Sequence, residues 1–243
     1  MHYELLKSKI NELVNMGGYK INHGWWISLS ETRKLIIIGA GNFGREILSW
    51  IEDINTNEYK IYGFIDDGGH EAQKELLQFG IKTPVVGTIK DYTPCDDEVF
   101  ICSISNPKYK LDICLRFQRM GANFINIVHP TAIIGKRSKL GVGIIACPYV
   151  VISNDSSIGD FVIVNIFSSI GHDTIVETGC TLSAHCDVTG YAHLMKGVMM
   201  GSHASVLPEV RVGEFAIIGA GSVAIREVPP NKTVFGVPAK NIN

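Results

Sequence analysis

An unbroken six-residue repeat dominates the second half of this sequence. Every sixth residue from position 128 to position 218 is apolar, and most of these residues are aliphatic. The repeated positions are Val128, Ile134, Leu140, Ala146, Ile152, Ile158, Val164, Ile170, Val176, Leu182, Val188, Leu194, Met200, Val206, Val212 and Ile218. A period of six fits neither an α-helix, which repeats about every 3.6 residues, nor a simple strand, which repeats about every two. The repeat predicts a coil with three short sides per turn, in which each side points one aliphatic residue into a narrow core.

Small residues flank the repeated positions. The residue after the core position is often small or turn-forming, as in Gly135, Gly141, Ser153, Gly159, Asn165, Gly171, Gly201, Gly213 and Gly219. A bulky side chain would clash where the chain turns a corner, so this pattern agrees with three corners per coil. Hexads over residues 128–218, taken three to a coil, predict about five coils. A tail that includes a short strand over 234–238 follows them.

The region before the repeat alternates short apolar strands with helical segments. The pattern predicts strands over 34–38, 60–65, 84–86, 98–103 and 123–128, and helices over 45–53 and 108–120. Strands that alternate with helices indicate a small parallel α/β sheet, and we assign residues 34–127 to this Rossmann-like domain and residues 128–243 to the coil. Residues 1–33 form an N-terminal extension, in which 5–14 are spaced for an amphipathic helix and Trp25-Trp26 for an edge strand.

A glycine-rich turn lies between the first strand and the first helix. Its sequence is Gly39-Ala40-Gly41-Asn42-Phe43-Gly44, and Asp66-Asp67 ends the second strand. Glycines in this context let a diphosphate approach the backbone at a helix N-terminus, and a carboxylate about twenty residues later holds a ribose hydroxyl or a base N–H. The sheet has the size of one mononucleotide-binding half, which favours a nucleotide sugar over NAD as the ligand.

One histidine of the repeat region has the setting of a general base. His172 follows a predicted turn and stands beside Asp173, and a histidine near a carboxylate is the minimum for such a base. Zinc is the alternative use of the histidines. The candidates are His185, His193 and His203, but the first two are eight positions apart, which is not a multiple of six, so they lie on different sides of the coil. The sequence therefore predicts no metal site.

Charge and cysteine content narrow the function classes. The net charge is -2 with 19% charged residues, which indicates neither a nucleic-acid partner nor a membrane surface. No apolar run is long enough to span a bilayer, and the N-terminus does not have the pattern of a signal peptide. The six cysteines show no paired spacing and are expected to be free thiols. We expect a cytoplasmic protein.

Six segments, taken in order, carry a resemblance to a known family. They are KLIIIGAGNFGREI, YGFIDD, INIVHPTAIIG, VNIFSSIGHD, IIGAGSV and VFGVPAKNI. Together they resemble the hexapeptide-repeat sugar acetyltransferases of the sialic-acid O-acetyltransferase and bacillosamine N-acetyltransferase type, over residues 34–243. The resemblance implies a left-handed parallel β-helix and a homotrimer with active sites between adjacent β-helices. It also implies a nucleotide-linked 4-amino sugar on the N-terminal domain and acetyl-CoA along the coil.

The resemblance assigns roles to individual residues. It implies that His172 is the general base and that Asp173 raises its basicity. The nucleotide would be held by the motif glycines Gly39, Gly41 and Gly44 with Asn42, Phe43, Asp66 and Asp67. Backbone groups at Gly190, Ser202 and Ala220 would line the CoA arm, with Lys240 near that groove. Several members have a second histidine near the acetyl group where this chain has Thr181, whose hydroxyl is expected to donate a hydrogen bond there.

The expected activity is acetyl-CoA-dependent N-acetylation of a UDP-, dTDP- or GDP-linked 4-amino-dideoxy sugar in bacterial surface-glycan biosynthesis. Transfer is expected to be direct, because an amine is already a competent nucleophile. Two alternatives stay open, namely O-acetylation of sialic acid or another glycan sugar, and a non-catalytic sugar-nucleotide-binding scaffold. A nicotinamide-dependent oxidoreductase would use the glycine-rich turn but leaves the hexads unexplained.

Overall fold

The computed structural model describes residues 32–54 and 56–242. The helix expected over 5–14 and the edge strand expected at Trp25-Trp26 lie outside the described residues. The prediction of a small α/β domain followed by a left-handed β-helix is confirmed. Within the described part of the chain, no helix has the length and apolar character needed to cross a membrane.

A parallel sheet of five strands forms the N-terminal part. Its strands are β1 (Arg33–Ile38), β2 (Tyr59–Ile65), β3 (Val85–Gly87), β4 (Glu98–Cys102) and β5 (Asn123–Phe124), and their order is β3-β2-β1-β4-β5. Residues 35–38 of β1 are fully buried, as expected for a central strand covered on both faces. Because β1 pairs with β2 on one side and with β4 on the other, a crevice opens at the carboxyl ends of these strands.

Three helices cover this sheet: α1 (Asn42–Glu52), α2 (Gly69–Gln78) and α3 (Pro107–Arg119). Helix α1 begins three residues earlier than predicted, directly inside the glycine-rich turn. Helix α2 was not predicted, because Leu76 is its one buried residue and its sequence lacks an apolar stripe. The strand predicted over 123–128 is in fact two strands that belong to different sheets.

The coil is built from strands of two residues, each separated from the next by a corner. These strands are β6 (Ile127–Val128), β7 (Ile133–Ile134), β8 (Lys139–Leu140), β9 (Ile145–Ala146), β10 (Val151–Ile152), β11 (Ser157–Ile158), β12 (Ile163–Val164), β13 (Ser169–Ile170), β14 (Ile175–Val176), β15 (Thr181–Leu182), β16 (Asp187–Val188), β17 (His193–Leu194), β18 (Met199–Met200), β19 (Ser205–Val206), β20 (Arg211–Val212), β21 (Ile217–Ile218) and β22 (Val223–Ala224). Each strand from β6 to β19 pairs in parallel with the strand eighteen residues later, as in Ile145 with Ile163. One coil therefore takes three hexads, as predicted.

The coil has three faces, which we number in chain order. The first face contains β6, β9, β12, β15, β18 and β21, the second contains β7, β10, β13, β16, β19 and β22, and the third contains β8, β11, β14, β17 and β20. The tail adds β23 (Thr233–Phe235) and β24 (Lys240–Asn241) to the first face. The second residue of each strand points into the core. Most corners contain a residue with positive φ, such as Asp173 at 57°.

The repeat differs from its prediction at both ends. The first three predicted core residues, Val128, Ile134 and Leu140, are only half-buried, whereas those from Ala146 onward are at most 2% exposed. The lowest coil has no coil beneath it, so its inner side chains have fewer neighbours. At the other end the hexads continue to Ala224, one strand beyond the predicted limit at Ile218.

Helix α3 packs across the first face of the coil and joins it to the sheet. Leu111 of α3 lies so close to the corner at Gly179 that a Cβ there would be 2.5 Å from the leucine side chain. Phe124 of β5 meets Phe161 of the coil edge-on, with ring centroids 4.9 Å apart. The sheet, α3 and the coil thus share a hydrophobic core, which fixes the crevice of the sheet relative to the coil.

Candidate active site

The glycine-rich turn has a backbone that only small residues permit. Gly39 has a φ of +101°, and a Cβ on Gly44 would lie 2.2 Å from the carbonyl oxygen of Gly39. Gly41 is the N-cap of α1 and no side chain caps this helix. The N–H groups of the first helical turn are therefore available to an anion, as they are in known phosphate-binding turns.

A cavity of about 360 Å³ opens at this turn, at the carboxyl ends of β1, β2 and β4. All seven residues predicted to bind the nucleotide line it, namely Gly39, Gly41, Asn42, Phe43, Gly44, Asp66 and Asp67. Four further lining residues were missed: Ile89, Ser103, Ile104 and Tyr109. They come from later elements that carry no recognisable motif, so only the fold could assign them. The cavity lies where the strand order reverses, which is the usual ligand position in open α/β sheets.

The two aspartates of the cavity have different surroundings. Asp66 accepts hydrogen bonds from the N–H of Ala40 and from the N–H of Gly68, each at 2.8 Å and each through a different oxygen. Its carboxylate thus ties the glycine-rich turn to the end of β2. Asp67 accepts from the N–H of Lys90 at 2.9 Å through Oδ1 and is otherwise exposed. The second oxygen of Asp67 is the better placed of the two to reach a ligand.

Tyr109 adds a hydroxyl donor to the cavity. Partial burial raises the pKa of Tyr109, and the negative charges of Asp67 and Asp66 raise this pKa further. The phenol therefore stays protonated at neutral pH and can donate a hydrogen bond. Asn42 contributes an amide whose oxygen already accepts from Arg45 at 2.8 Å, so its NH₂ group is left to donate.

His172 and Asp173 form a hydrogen-bonded pair at a corner between the second and third faces. The distance from His172 Nδ1 to Asp173 Oδ2 is 2.9 Å, and the imidazole is 60% exposed. Asp173 reaches the ring because its backbone is left-handed, which turns the side chain of this neighbouring residue toward His172. If the proton is on Nδ1, facing the carboxylate, then Nε2 carries a free lone pair.

Gly190 lies one coil above His172 and leaves room for its ring. A Cβ on Gly190 would stand 2.7 Å from His172 Nε2 and 2.8 Å from Cε1. Tyr191 contacts the same ring edge-on, with centroids 5.2 Å apart at 89°. The Nε2 atom of His172 thus lies directly against the Gly190 backbone.

Comparison with known proteins finds relatives for both halves of the chain. Residues 34–117 match the PglD N-terminal domain family. GDP-perosamine N-acetyltransferase from Escherichia coli O157:H7 is 29% identical over 221 residues, which cover 85% of this chain and 95% of that protein. The chain is thus similar to a sugar N-acetyltransferase over nearly the full length of that protein.

Solved structures share the fold of this chain over most of its length. The acetyltransferase domain of PglB from Neisseria gonorrhoeae superimposes with a TM-score of 0.77 at 24% identity, covering 86% of this chain and all of that domain. PerB from Caulobacter crescentus, solved with CoA and GDP-perosamine, superimposes with a TM-score of 0.75 at 23% identity and covers 86% of this chain and 97% of that one.

The residues expected to bind CoA lie in three different places on this acetyltransferase. Gly190 shares the His172 corner, between the second and third faces. Ser202 and Ala220 occupy the corner between the first and second faces, one coil apart. Lys240 is exposed in β24. It pairs with Phe235 of β23, which belongs to the first face. Within one chain, the two corner positions are separated by the width of the second face.

The expectation that Thr181 contacts the acetyl group is corrected. Thr181 is 3% exposed and lies on the first face beneath α3, so its hydroxyl does not reach the surface. The hydroxyl accepts a hydrogen bond from Lys110 Nζ at 2.8 Å, and the same ammonium donates to the Cys180 carbonyl at 3.1 Å. This contact could not be predicted from the residues alone, because Lys110 and Thr181 are seventy-one residues apart.

The three histidines considered for zinc do not converge on one point. His185 and His203 stack at one corner, with ring centroids 4.6 Å apart, whereas His193 lies on the third face, where its Nε2 is 2.7 Å from Glu177 Oε1. Among the residues the structure describes, no group of three or more His, Cys, Asp or Glu side chains is arranged to hold a metal ion.

Proposed function

We propose that this chain transfers the acetyl group of acetyl-CoA to the amino group of a nucleotide-linked 4-amino sugar used in bacterial surface-glycan synthesis. The observation that carries the proposal is the exposed His172–Asp173 pair, with its 2.9 Å hydrogen bond, on the coil of a chain that also has a cavity at its glycine-rich turn. The similarity to a GDP-perosamine N-acetyltransferase over nearly its full length supports an amine acceptor.

In the proposed reaction His172 Nε2 removes a proton from the sugar amine as the nitrogen attacks the thioester carbonyl. A C–N bond forms, the C–S bond breaks, and the CoA thiolate leaves and takes up the proton. Asp173 holds the imidazole in the tautomer that presents a basic Nε2 and stabilises the imidazolium that forms. Backbone N–H groups at the coil corners stabilise the oxyanion.

The N-terminal cavity is proposed to hold the nucleotide. The N-terminus of α1 faces the diphosphate, because its N–H groups and its dipole both favour an anion. Asp67 and Tyr109 supply an acceptor and a donor for the ribose or the base. Asn42, Phe43 and the glycines form the wall against which the ligand lies.

We propose a homotrimer with each active site between two chains. The His172–Gly190 corner and the Ser202–Ala220 corner lie on opposite edges of the second face, so a single extended CoA lying along a groove would meet them most simply if they came from neighbouring chains. The free thiols of the described cysteines and the need for acetyl-CoA favour the cytoplasm as the compartment.

Replacing His172 tests the proposed role of the pair. The His172→Asn enzyme should lose about 10²–10⁴-fold in kcat for acetyl transfer, since it lacks the general base, and should still bind CoA. His193→Asn is the matched control, because it removes the other well-formed histidine–carboxylate pair of the coil. Unchanged transfer by His172→Asn, or an equal loss in both variants, would remove His172 from this role.

A further inference from the structure

Four rings stack along the corner between the first and second faces. They belong to Tyr149, Phe167, His185 and His203, which are spaced one coil apart. Successive ring centroids are 5.0, 5.1 and 4.6 Å apart, and the rings deviate from parallel by 5°, 11° and 3°. All four side chains are exposed, so this ring ladder, as we name these four residues, forms a ridge on the surface of the coil.

The ring ladder ends at a glycine. Gly221 is the next residue of the series, eighteen positions after His203, and its backbone has the same left-handed conformation, with φ of 66° against 60° for His203. Its N–H donates to Ser202 just as the N–H of His203 donates to Ala184. A Cβ on Gly221 would have no neighbour within 4 Å, so a slot remains open above the His203 ring.

The backbone alone does not require glycine at this position. Tyr149, Phe167, His185 and His203 adopt φ values of 56° to 60° at the equivalent corners without being glycine. A fifth ring at position 221 would continue the series, but the chain has a glycine there and the space beside it is open. The tail passes the same end of the coil, where Gly236 donates to the Ser222 hydroxyl and accepts from the Val223 N–H.

We infer that this slot takes the adenine ring of the acetyl donor, which stacks on His203 as the fifth ring of the ladder. The inference rests on the proposed function, because that function supplies a ligand with a planar ring. The nucleobase of the acceptor has its own cavity beside Phe43 and Tyr109, on the N-terminal sheet, so adenine is the ring left to place. Any nucleobase can stack on an aromatic side chain, and such stacking does not require hydrogen bonds to the edge of the base.

Two variants alter the slot in opposite ways. His203→Leu removes the aromatic platform but keeps an exposed apolar side chain, and Gly221→Phe fills the slot with a ring of the protein. Tyr149→Leu is the matched control, because it removes a ring at the far end of the same ladder. Isothermal titration measures the binding of CoA and of 4′-phosphopantetheine, which lacks the adenylyl part of CoA, to each intact protein.

Wild-type protein should bind CoA more tightly than 4′-phosphopantetheine. His203→Leu and Gly221→Phe should each weaken CoA binding roughly 10-fold, the size expected for the loss of one base stack, with the affinity for 4′-phosphopantetheine unchanged. Tyr149→Leu should bind both probes as wild type does. CoA affinity that both slot variants retain would overturn the inference and leave the proposed function standing. Wild-type protein that binds no CoA would overturn the proposed function itself and the slot with it.

Discussion

At the scale of single residues, the contact between Gly190 and His172 should decide whether His172 can act as the proposed general base. A methyl group at position 190 would lie 2.7 Å from Nε2, so the imidazole must tilt out of its place. We expect Gly190→Ala to lower kcat about 100-fold, because a misplaced base loses most of its contribution. Steady-state kinetics together with a melting curve check this. A variant with wild-type kcat, or one that fails through unfolding, would contradict the account.

The two neighbouring aspartates of the cavity proposed to hold the nucleotide should differ in their effects, one on stability and the other on binding. Both carboxylate oxygens of Asp66 accept a hydrogen bond from a backbone N–H group. Asp66→Asn replaces one of these oxygens by an NH₂ group, which cannot accept, so it should cost about 1–3 kcal/mol of stability and lower the Tm. Asp67→Asn keeps an acceptor for the Lys90 N–H and should melt as wild type does. Its effect should appear in a raised KM for the nucleotide sugar. The reverse pattern would show that Asp66 is the ligand-binding carboxylate.

At the scale of elements, α3 carries a buried ammonium against the first face of the coil. Lys110 is 1% exposed, and burial lowers its pKa to about 8. The nearby Cys102, Cys114 and Cys180 raise this pKa, but by less than burial lowers it. Its ordinary pKa in an unfolded chain is about 10.4. Between these two values the unfolded chain binds more protons, so stability should rise with pH from about 8 to 10.4 and stay flat below 8.

Lys110→Met should remove this pH dependence and stabilise the fold at neutral pH. The shift of the pKa corresponds to roughly 3 kcal/mol, from which the two lost hydrogen bonds subtract about 1 kcal/mol each. Urea unfolding of the variant at pH 7 and pH 10 measures both effects. Lys108→Met is the control, because Lys108 is exposed on the same helix and should keep the wild-type slope. A slope that survives in Lys110→Met would show that another group causes it.

At the scale of the whole molecule, the repeat made the coil predictable and the tertiary contacts did not follow from it. Hexads report which side chain enters the core, so strands and coils could be assigned from residues alone. The cavity motif was equally local, and its seven predicted residues all line one cavity. The contacts of Lys110, Tyr109 and Thr181 could not be predicted, because their partners lie on elements that are distant in the sequence. The residues of the ring ladder are eighteen positions apart in the sequence, but that their rings stack is known only from the structure.

The most direct test of the central claim is release of free thiol from acetyl-CoA by the intact protein, with product masses recorded. The acceptors are 4-amino sugars linked to UDP, dTDP or GDP, their 4-hydroxy counterparts, and free sialic acid. We expect thiol release and an acetylated product with at least one nucleotide-linked amino sugar, and no product with its hydroxyl counterpart. Transfer to sialic acid or to the hydroxyl sugars alone, or no transfer to any acceptor, would contradict it.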